Sequence, residues 1–217
     1  MSEQPSVIDR SEHVVGWLPP NDAMARTSHA IAVDDAVYLV DPVDVDGVGE
    51  LIDPLGTVAG VILTLDRHRR DGAALAQRYE VPVLLPASFS GVSLDAPVER
   101  MHDRVPETPL EVHPLTMNRF WQEVALWWPE PGLLYVPEAV GRGRFFRAGD
   151  EPLGVHPMLR LFPPRGLATF RPEILLVGHG GGIDSDATPA LETALATSRR
   201  RFPRLVIEAT RSMLPVP

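Results

Sequence analysis

Short apolar runs alternate with polar segments along the first part of the chain and predict strands joined by helices. Ser28–Val33 and Ala36–Val40 flank two aspartates and predict a hairpin. Val61–Thr64 predicts a buried strand, which is followed by a charged loop and by a helix over Gly72–Tyr79. This order of elements favours a sheet with crossover helices.

Beyond residue 95 the pattern changes to successive short strands. They are predicted at Val98–Met101, Leu110–His113, Glu123–Trp128, Leu133–Val136 and Ile174–Val177. A helix is expected from about Pro189 to Arg200, and Leu205–Glu208 is predicted as a last edge strand. Residues 1–12 are polar and are predicted to be a flexible segment that precedes one domain over residues 13–217.

The composition is that of a globular protein, with 44% hydrophobic and 23% charged residues. No apolar run approaches the ~20 residues that span a bilayer, and the first residues lack the pattern of a secretory signal. We therefore expect a cytoplasmic protein without membrane contacts. The net charge of −9 argues against binding to nucleic acid.

Two residue types are missing, and each absence excludes a class of chemistry. Without cysteine the chain has no disulfide, no thiolate metal site and no cysteine nucleophile. All twenty basic residues are arginine, so Schiff-base chemistry and a phosphate-binding loop lysine are excluded as well. Any metal would have to be bound by His, Asp or Glu.

The loop after Val61–Thr64 concentrates polar chemistry in six positions. Between Asp66 and Asp71 it contains one histidine, three arginines and two aspartates. Loops at the carboxyl ends of buried strands are where active sites of α/β proteins usually lie. We therefore expect this loop to border a functional site.

Five segments in chain order resemble landmarks of the metallo-β-lactamase fold family. They are Tyr38–Pro42, Val61–Thr64, Glu123–Trp127, Leu134–Ala139 and Leu176–Gly180. The resemblance covers nearly the whole chain and implies an α/β fold, a four-layer αββα sandwich of two mixed β-sheets with helices outside. It also implies a metal site at one sheet edge.

The same resemblance implies that most of the family's metal ligands are lost. Laid on Thr64, the family motif Thr-His-x-His-x-Asp-His-x-Gly places its ligand positions on Leu65, Arg67, Arg69 and Arg70. Leucine has no donor atom, and a guanidinium has no lone pair to offer. The middle histidine falls near Arg119, Glu138 stands at the bridging aspartate, and His179 is retained.

The preferred interpretation is a degenerate, noncatalytic relative without a cofactor, which is either structural or able to bind a small anionic molecule. Guanidinium groups can replace metal charge or present forked donors to a phosphate or carboxylate. The candidate anion-binding residues are Arg67, Arg69, Arg70 and Arg119.

Two alternatives stay open. The first is a metal-dependent hydrolase of esters or thioesters, similar to hydroxyacylglutathione hydrolases, with one zinc, manganese or iron ion. Its predicted ligands are His68, Asp71, Glu138 and His179, of which Glu138 and His179 are also the candidate catalytic residues. The second is a scaffold that binds a protein partner. The other five histidines carry no spacing that suggests a site: His13, His29, His102, His113 and His156.

Overall fold

The structure is a computed structural model that describes residues 5–213, with residues 208–213 described by their backbone only. Its largest sheet has seven strands that lie side by side in chain order. The strands are β1 Ser6–Arg10, β2 Val14–Leu18, β3 Ser28–Val33, β4 Ala36–Val40, β5 Thr57–Ile62, β6 Val83–Pro86 and β7 Val98–Met101. Neighbouring strands from β1 to β4 pair antiparallel, and those from β4 to β7 pair parallel, so the sheet is mixed.

The second sheet has four strands and is mixed as well. They are β8 Glu111–Asn118, β9 Trp121–Trp128, β10 Leu133–Val136 and β13 Ile174–Val177, in the order β13-β10-β9-β8. Only the pair of β10 and β13 is parallel. A small ribbon of β11 Val140–Gly141 and β12 Gly154–Val155 stands beside it.

Among the described residues, three α-helices connect or cover the sheets: α1 Val48–Ile52, α2 Gly72–Tyr79 and α3 Thr188–Met213. Short 3-10 turns occur at Asp53–Leu55, Pro157–Leu159 and Arg165–Thr169. No helix in the described part of the chain is both long enough and apolar enough to cross a bilayer.

Strand β9 shows how the sequence pattern produces the layers. Val124, Leu126 and Trp128 belong to the core shared with the seven-stranded sheet, whereas Ala125 and Trp127 pack on the opposite side. Successive side chains of a strand point to opposite faces, so both faces of β9 are apolar and buried.

The two apolar cores define four layers. One core contains residues of both sheets and extends to Leu75 of α2. The other joins Leu134 of β10 to Leu191 and Ala194 of α3. The predicted αββα sandwich of two mixed sheets is therefore confirmed.

The predicted edge strand at Leu205–Glu208 is wrong, because these residues continue α3. The buried positions Leu191, Ala194, Ser198 and Leu205 recur at helical spacing, so one face of the helix stays on the core. This packing outweighs the cost of Pro203 inside the helix, which is about 3 kcal/mol.

Within residues 1–12, for which the sequence predicts a flexible segment, Ser6–Arg10 form β1 and pair with β2, and residues 1–4 lie outside the described part of the chain. Asp9 holds this strand in place with both carboxylate oxygens. Its Oδ1 accepts a hydrogen bond from the Gly182 backbone N–H at 2.7 Å, and its Oδ2 accepts one from His29 Nε2 at 3.0 Å. Both partners are distant in sequence, so the local polarity of the segment is a poor guide to its order.

We predict that Asp9→Ala lowers the free energy of unfolding by about 2 kcal/mol, because a backbone N–H and a buried imidazole lose a charged acceptor. Urea unfolding of the variant and of the wild type measures the effect. The control is Glu12→Ala, since Glu12 is exposed. Equal stabilities of the two variants would contradict the anchoring role of Asp9.

Candidate metal centre

Three side chains meet where strand ends of the two sheets come together. His68 follows β5, Glu138 follows β10 and His179 follows β13. Each offers one ligand atom, and these atoms lie within 4.8 Å of one another. The structure thus brings together three of the four metal ligands that the sequence predicted.

His68 is held by the buried carboxylate of Asp41. Its Nδ1 lies 3.1 Å from Asp41 Oδ2, and an ionised carboxylate can only accept, so Nδ1 carries the hydrogen. Hydrogen bonding from His68 and the charge of Arg70 outweigh burial and hold the pKa of Asp41 below its ordinary value. The Nε2 lone pair of His68 therefore faces Glu138 Oε2, 4.0 Å away.

His179 is held in the same tautomer by a backbone carbonyl. Its Nδ1 donates to Met24 O at 2.9 Å, which leaves the lone pair on Nε2. That Nε2 atom is buried and has no hydrogen-bond partner within the described chain. Buried polar atoms are nearly always satisfied, so an orphaned imidazole lone pair points to a missing ligand.

The glycine run around His179 is explained by close backbone contacts. Gly180 has φ +84° and donates its N–H to Ala25 O at 2.8 Å. A Cβ on Gly180 would lie 2.7 Å from the Gly143 nitrogen, and one on Gly178 would lie 2.2 Å from Pro137 O. The run therefore lets the strand end approach its neighbours and places His179 in the site.

Both imidazoles are in the form that binds metal ions. Burial lowers the pKa of His68 to about 4, and the neighbouring Arg70 charge acts in the same direction. Burial likewise lowers the pKa of His179 to about 4. Both rings are therefore neutral near pH 7, with their Nε2 lone pairs unprotonated.

Glu138 contacts a cation as well as the histidines. Arg67 Nη2 lies 3.0 Å from Glu138 Oε2, and the guanidinium stacks on Trp121 at 4.1 Å from the ring centroid. Burial raises the pKa of Glu138, and the Arg67 charge opposes this shift. Arg67 is the most exposed of these groups and covers the carboxylate on the solvent side.

His156 borders the site although its sequence position gave no sign of it. Its Nε2 lies 3.6 Å from Glu138 Oε1, and its Nδ1 accepts a hydrogen bond from the Met158 backbone. Nε2 of the neutral ring therefore carries the hydrogen and faces the carboxylate. Burial lowers the pKa of His156 to about 4, assisted by the Arg67 charge. No local motif marks this residue, which the fold brings in from the loop after β12.

Glu123 holds the backbone that carries Glu138, and it was not identified as a site residue from the sequence. Its Oε1 accepts hydrogen bonds from the backbone of Glu138 at 2.9 Å and Ala139 at 2.7 Å, and its Oε2 accepts one from Trp121 Nε1 at 2.6 Å. Burial raises the pKa of Glu123 to about 7. A glutamate within an apolar strand was the available signal, since such a group needs buried donors.

Two residues predicted for the site lie elsewhere. Asp71 accepts a hydrogen bond from Asp44 N at 2.9 Å at the start of α2 and is not part of the ligand cluster. Arg70 does not face an anion site: it donates to the backbone carbonyls of Thr27 and Asp41, both at 2.6 Å, and of Gly178 at 3.2 Å. Its side chain turns inward because the carbonyls at three strand ends converge on it, of which that of Gly178 also accepts a hydrogen bond from Thr27 N at 2.9 Å.

The remaining arginines of the predicted anion site lie outside the ligand cluster. Arg67, Arg69 and Arg119 line an open cleft of about 500 Å³ beside it. Of the three, Arg67 contacts both the cleft and Glu138.

The three clustered side chains fit one divalent ion of the zinc, manganese or iron class. Two neutral imidazoles and a carboxylate are donors that these ions accept, and three protein ligands leave positions open for water or substrate. Asp41 and the Met24 carbonyl supply the outer hydrogen bonds that metal-binding histidines usually have.

By sequence the chain matches no protein-family model and no curated protein. By structure it is similar to the DIM-1 metallo-β-lactamase, with TM-score 0.63 and 12% identity over 92% of this chain and 99% of that chain. The metallo-β-lactamase of Pontibacter korlensis gives TM-score 0.58 and 15% identity over 90% and 99%. FIM-1 of Pseudomonas aeruginosa in its mono-zinc form gives TM-score 0.55 and 12% identity over 92% and 96%.

We predict that the metal-free protein loses stability as the pH falls from about 6.5 to about 5. The folded-state pKa of His68, His156 and His179 is about 4, below the ordinary 6.5, so the unfolded chain takes up protons first. Each histidine contributes up to about 1.4 kcal/mol per pH unit. Glu123 opposes them, because its raised pKa stabilises the fold at low pH and this contribution is lost as the pH rises through about 7.

Urea unfolding across this pH window measures the slope. His156→Gln should lower the slope of the unfolding free energy against pH by the contribution of about one proton. His102→Gln should leave the slope unchanged, because His102 is exposed. A stability that does not vary with pH would contradict the neutral buried histidines.

Proposed function

Since the chain has the metallo-β-lactamase fold, we propose that it is a metal-dependent hydrolase that holds a single divalent ion through His68, Glu138 and His179. The orphaned, buried Nε2 atom of His179 carries this proposal, because a hydrogen-bonded Nδ1 on the other side of the ring leaves it only a lone pair to offer. His68 likewise presents its Nε2 lone pair to the carboxylate of Glu138.

The bound ion would act as a Lewis acid that polarises a carbonyl and acidifies water. The surrounding residues would hold its ligands in place. Asp41 orients His68, the Met24 carbonyl orients His179, and Glu123 fixes the backbone that carries Glu138. This division of roles supports hydrolysis of an ester or thioester, in which charge develops on a carbonyl oxygen.

Arg67 adds a positive charge at the mouth of this site. Its guanidinium is stacked on Trp121 and donates to Phe120 O at 3.1 Å, so its position is fixed. A guanidinium beside the ligand carboxylate can hold an oxygen of the substrate in place during hydrolysis.

One observation favours a second candidate, a noncatalytic relative without metal. Arg67 lies 3.0 Å from Glu138 Oε2 and already neutralises the carboxylate that a metal would need. In that case the Arg67–Glu138 pair stands in for the ion. Metal content separates the two candidates.

We predict about one zinc, manganese or iron ion per chain in protein purified without chelator or metal-affinity tag. His68→Ala, Glu138→Gln and His179→Ala should each lose it, because each removes one of three ligands. His102→Ala is the matched control, since His102 is exposed and outside the cluster. Elemental analysis measures the content, and unfolding curves exclude variants that fail to fold.

Hydrolysis of a chromogenic ester and of a thioester then tests the activity. The loaded wild type and His102→Ala should hydrolyse at least one of them, and a chelator or His179→Ala should abolish turnover. Metal-free wild-type protein that gains no thermal stability on adding these ions would contradict the hydrolase and leave the Arg67–Glu138 candidate.

We also predict that Arg67→Met binds the divalent ion about tenfold more tightly than the wild type. The guanidinium competes with the ion for Glu138 Oε2 and repels its charge, and methionine keeps an apolar contact with Trp121. Competition titrations with a metal indicator measure the dissociation constants. Arg104→Met, at an exposed ion pair with Glu111, is the control for the change in net charge. An unchanged or weaker affinity in Arg67→Met would show that the two cations do not compete.

A further inference from the structure

An electropositive cleft stands next to the metal ligands and is not used by them. It has a volume of about 500 Å³ and opens to solvent. Its lining residues are Asp66, Arg67, Arg69, Ser90, Gly91, Val92, Arg119, Phe120 and Gln122. Three guanidinium groups and one carboxylate line the cleft, and because Arg67 is already paired with Glu138, the remaining local charge is that of Arg69 and Arg119 against Asp66, two minus one, or +1.

This local charge opposes the charge of the whole chain. The protein carries a net charge of −9, with 29 acidic residues to 20 basic ones. In such a chain an arginine usually finds a carboxylate nearby. Three guanidiniums around one cleft repel one another, and an oxyanion in the cleft would relieve this repulsion.

Two of the three arginines have no acidic partner. Among the residues whose side chains are described, no carboxylate lies within ion-pair distance of Arg69 or Arg119. Arg69 donates only to the carbonyls of Ser93 and Gly91, at the long distances of 3.4 and 3.5 Å. Most of the N–H donors of Arg69 and Arg119 therefore remain available to a ligand.

Two of the guanidiniums stack on aromatic rings. Arg67 lies 4.1 Å above the Trp121 ring, and Arg119 lies 4.3 Å above the Phe120 ring, which is 72% exposed. Stacking occupies the face of a guanidinium and leaves its N–H edge free, and that edge matches the oxygens of a carboxylate or phosphate.

The floor of the cleft is also ordered. Gln122 Oε1 accepts hydrogen bonds from the Ser90 backbone at 2.7 Å and hydroxyl at 3.1 Å, and Gln122 Nε2 donates to Ser90 O at 3.0 Å. These contacts hold the backbone at Ser90 against Gln122 of β9, so the floor of the cleft has a defined shape.

We propose that this cleft binds an oxyanion group, a carboxylate or a phosphate, at one end of the substrate, through Arg67, Arg69 and Arg119. Arg67 contacts both the cleft and Glu138, so a bound anion lies beside the metal ligands. That the anion belongs to a substrate rests on the proposed hydrolase; the binding of the anion requires no metal. The substrate class is then an ester or thioester that carries an anionic group close to the scissile bond.

The test is titration of inorganic phosphate into chelator-treated protein at low ionic strength, followed by isothermal calorimetry. Wild-type protein should bind phosphate at one site. The double variant Arg69→Gln/Arg119→Gln should bind at least about tenfold more weakly. The matched control Arg104→Gln/Arg171→Gln removes two exposed arginines elsewhere and should keep the wild-type affinity. A parallel titration with succinate identifies which of the two oxyanions the cleft prefers.

Two results would overturn the proposal: wild-type protein that binds neither phosphate nor succinate, or equal weakening in the two double variants, which would indicate only a general effect of net charge. His179→Ala separates this proposal from the hydrolase. It should lose metal and keep phosphate binding, since His179 is not part of the cleft. Phosphate binding in a protein that never takes up metal would support the cleft and reject the hydrolase, and a metal-loaded protein without phosphate binding would do the reverse.

Discussion

The buried carboxylate of Asp41 is the constraint on which both the fold and the site depend. It accepts hydrogen bonds from Thr64 N at 2.9 Å, Thr64 Oγ1 at 2.5 Å, Tyr135 Oη at 2.8 Å and His68 Nδ1 at 3.1 Å. Asp41 follows β4, Thr64 follows β5, and Tyr135 belongs to β10 of the other sheet. A charge with no exposed surface is tolerated only with such compensation. Within this set, the bond from Tyr135 joins the two sheets, and the bond from His68 fixes the tautomer of that histidine.

Arg70 also holds strand ends together next to Asp41. Its guanidinium binds the carbonyls of Thr27, Asp41 and Gly178, which lie at three strand ends. The position has φ +41°, which is uncommon outside glycine, so the surrounding contacts must hold the backbone there. An arginine at a position that the family motif gives to a ligand thus has a structural role in this chain.

Much of the fold was predictable because its landmarks are local. The apolar runs of β3, β4 and β10, the helix α2 and the strand-ending residues Asp41 and His179 are all visible in short windows. The misplaced elements depend on distant contacts. Strand β1 is fixed through Asp9 by a residue 173 positions away, and α3 passes Pro203 because its buried face requires it.

The site was predictable only in part, for the same reason. Glu138 and His179 stand at strand ends that the pattern reveals, whereas His156 comes from a loop with no motif of its own. The motif alignment puts Arg67 and Arg70 at ligand positions but cannot say that Arg70 turns inward while Arg67 turns to the rim. These directions follow from which carbonyls and carboxylates the folded chain brings close to each guanidinium, and a sequence window does not contain that information.

Charge balance connects the two sites. Without a metal, Glu138 is paired with the guanidinium of Arg67, and the charge of Arg70 lowers the pKa of the Asp41 carboxylate. A divalent ion on Glu138 would add two positive charges to a balanced, largely buried group and would compete with Arg67. If the cleft binds an oxyanion as proposed, that group would supply the negative charge and give the displaced Arg67 guanidinium a new partner. Because such coupling is reciprocal, a metal ion would strengthen anion binding as much as the anion strengthens metal binding. On the proposed function, the arginines near the metal ligands would then make the metal affinity higher when an anionic substrate is bound.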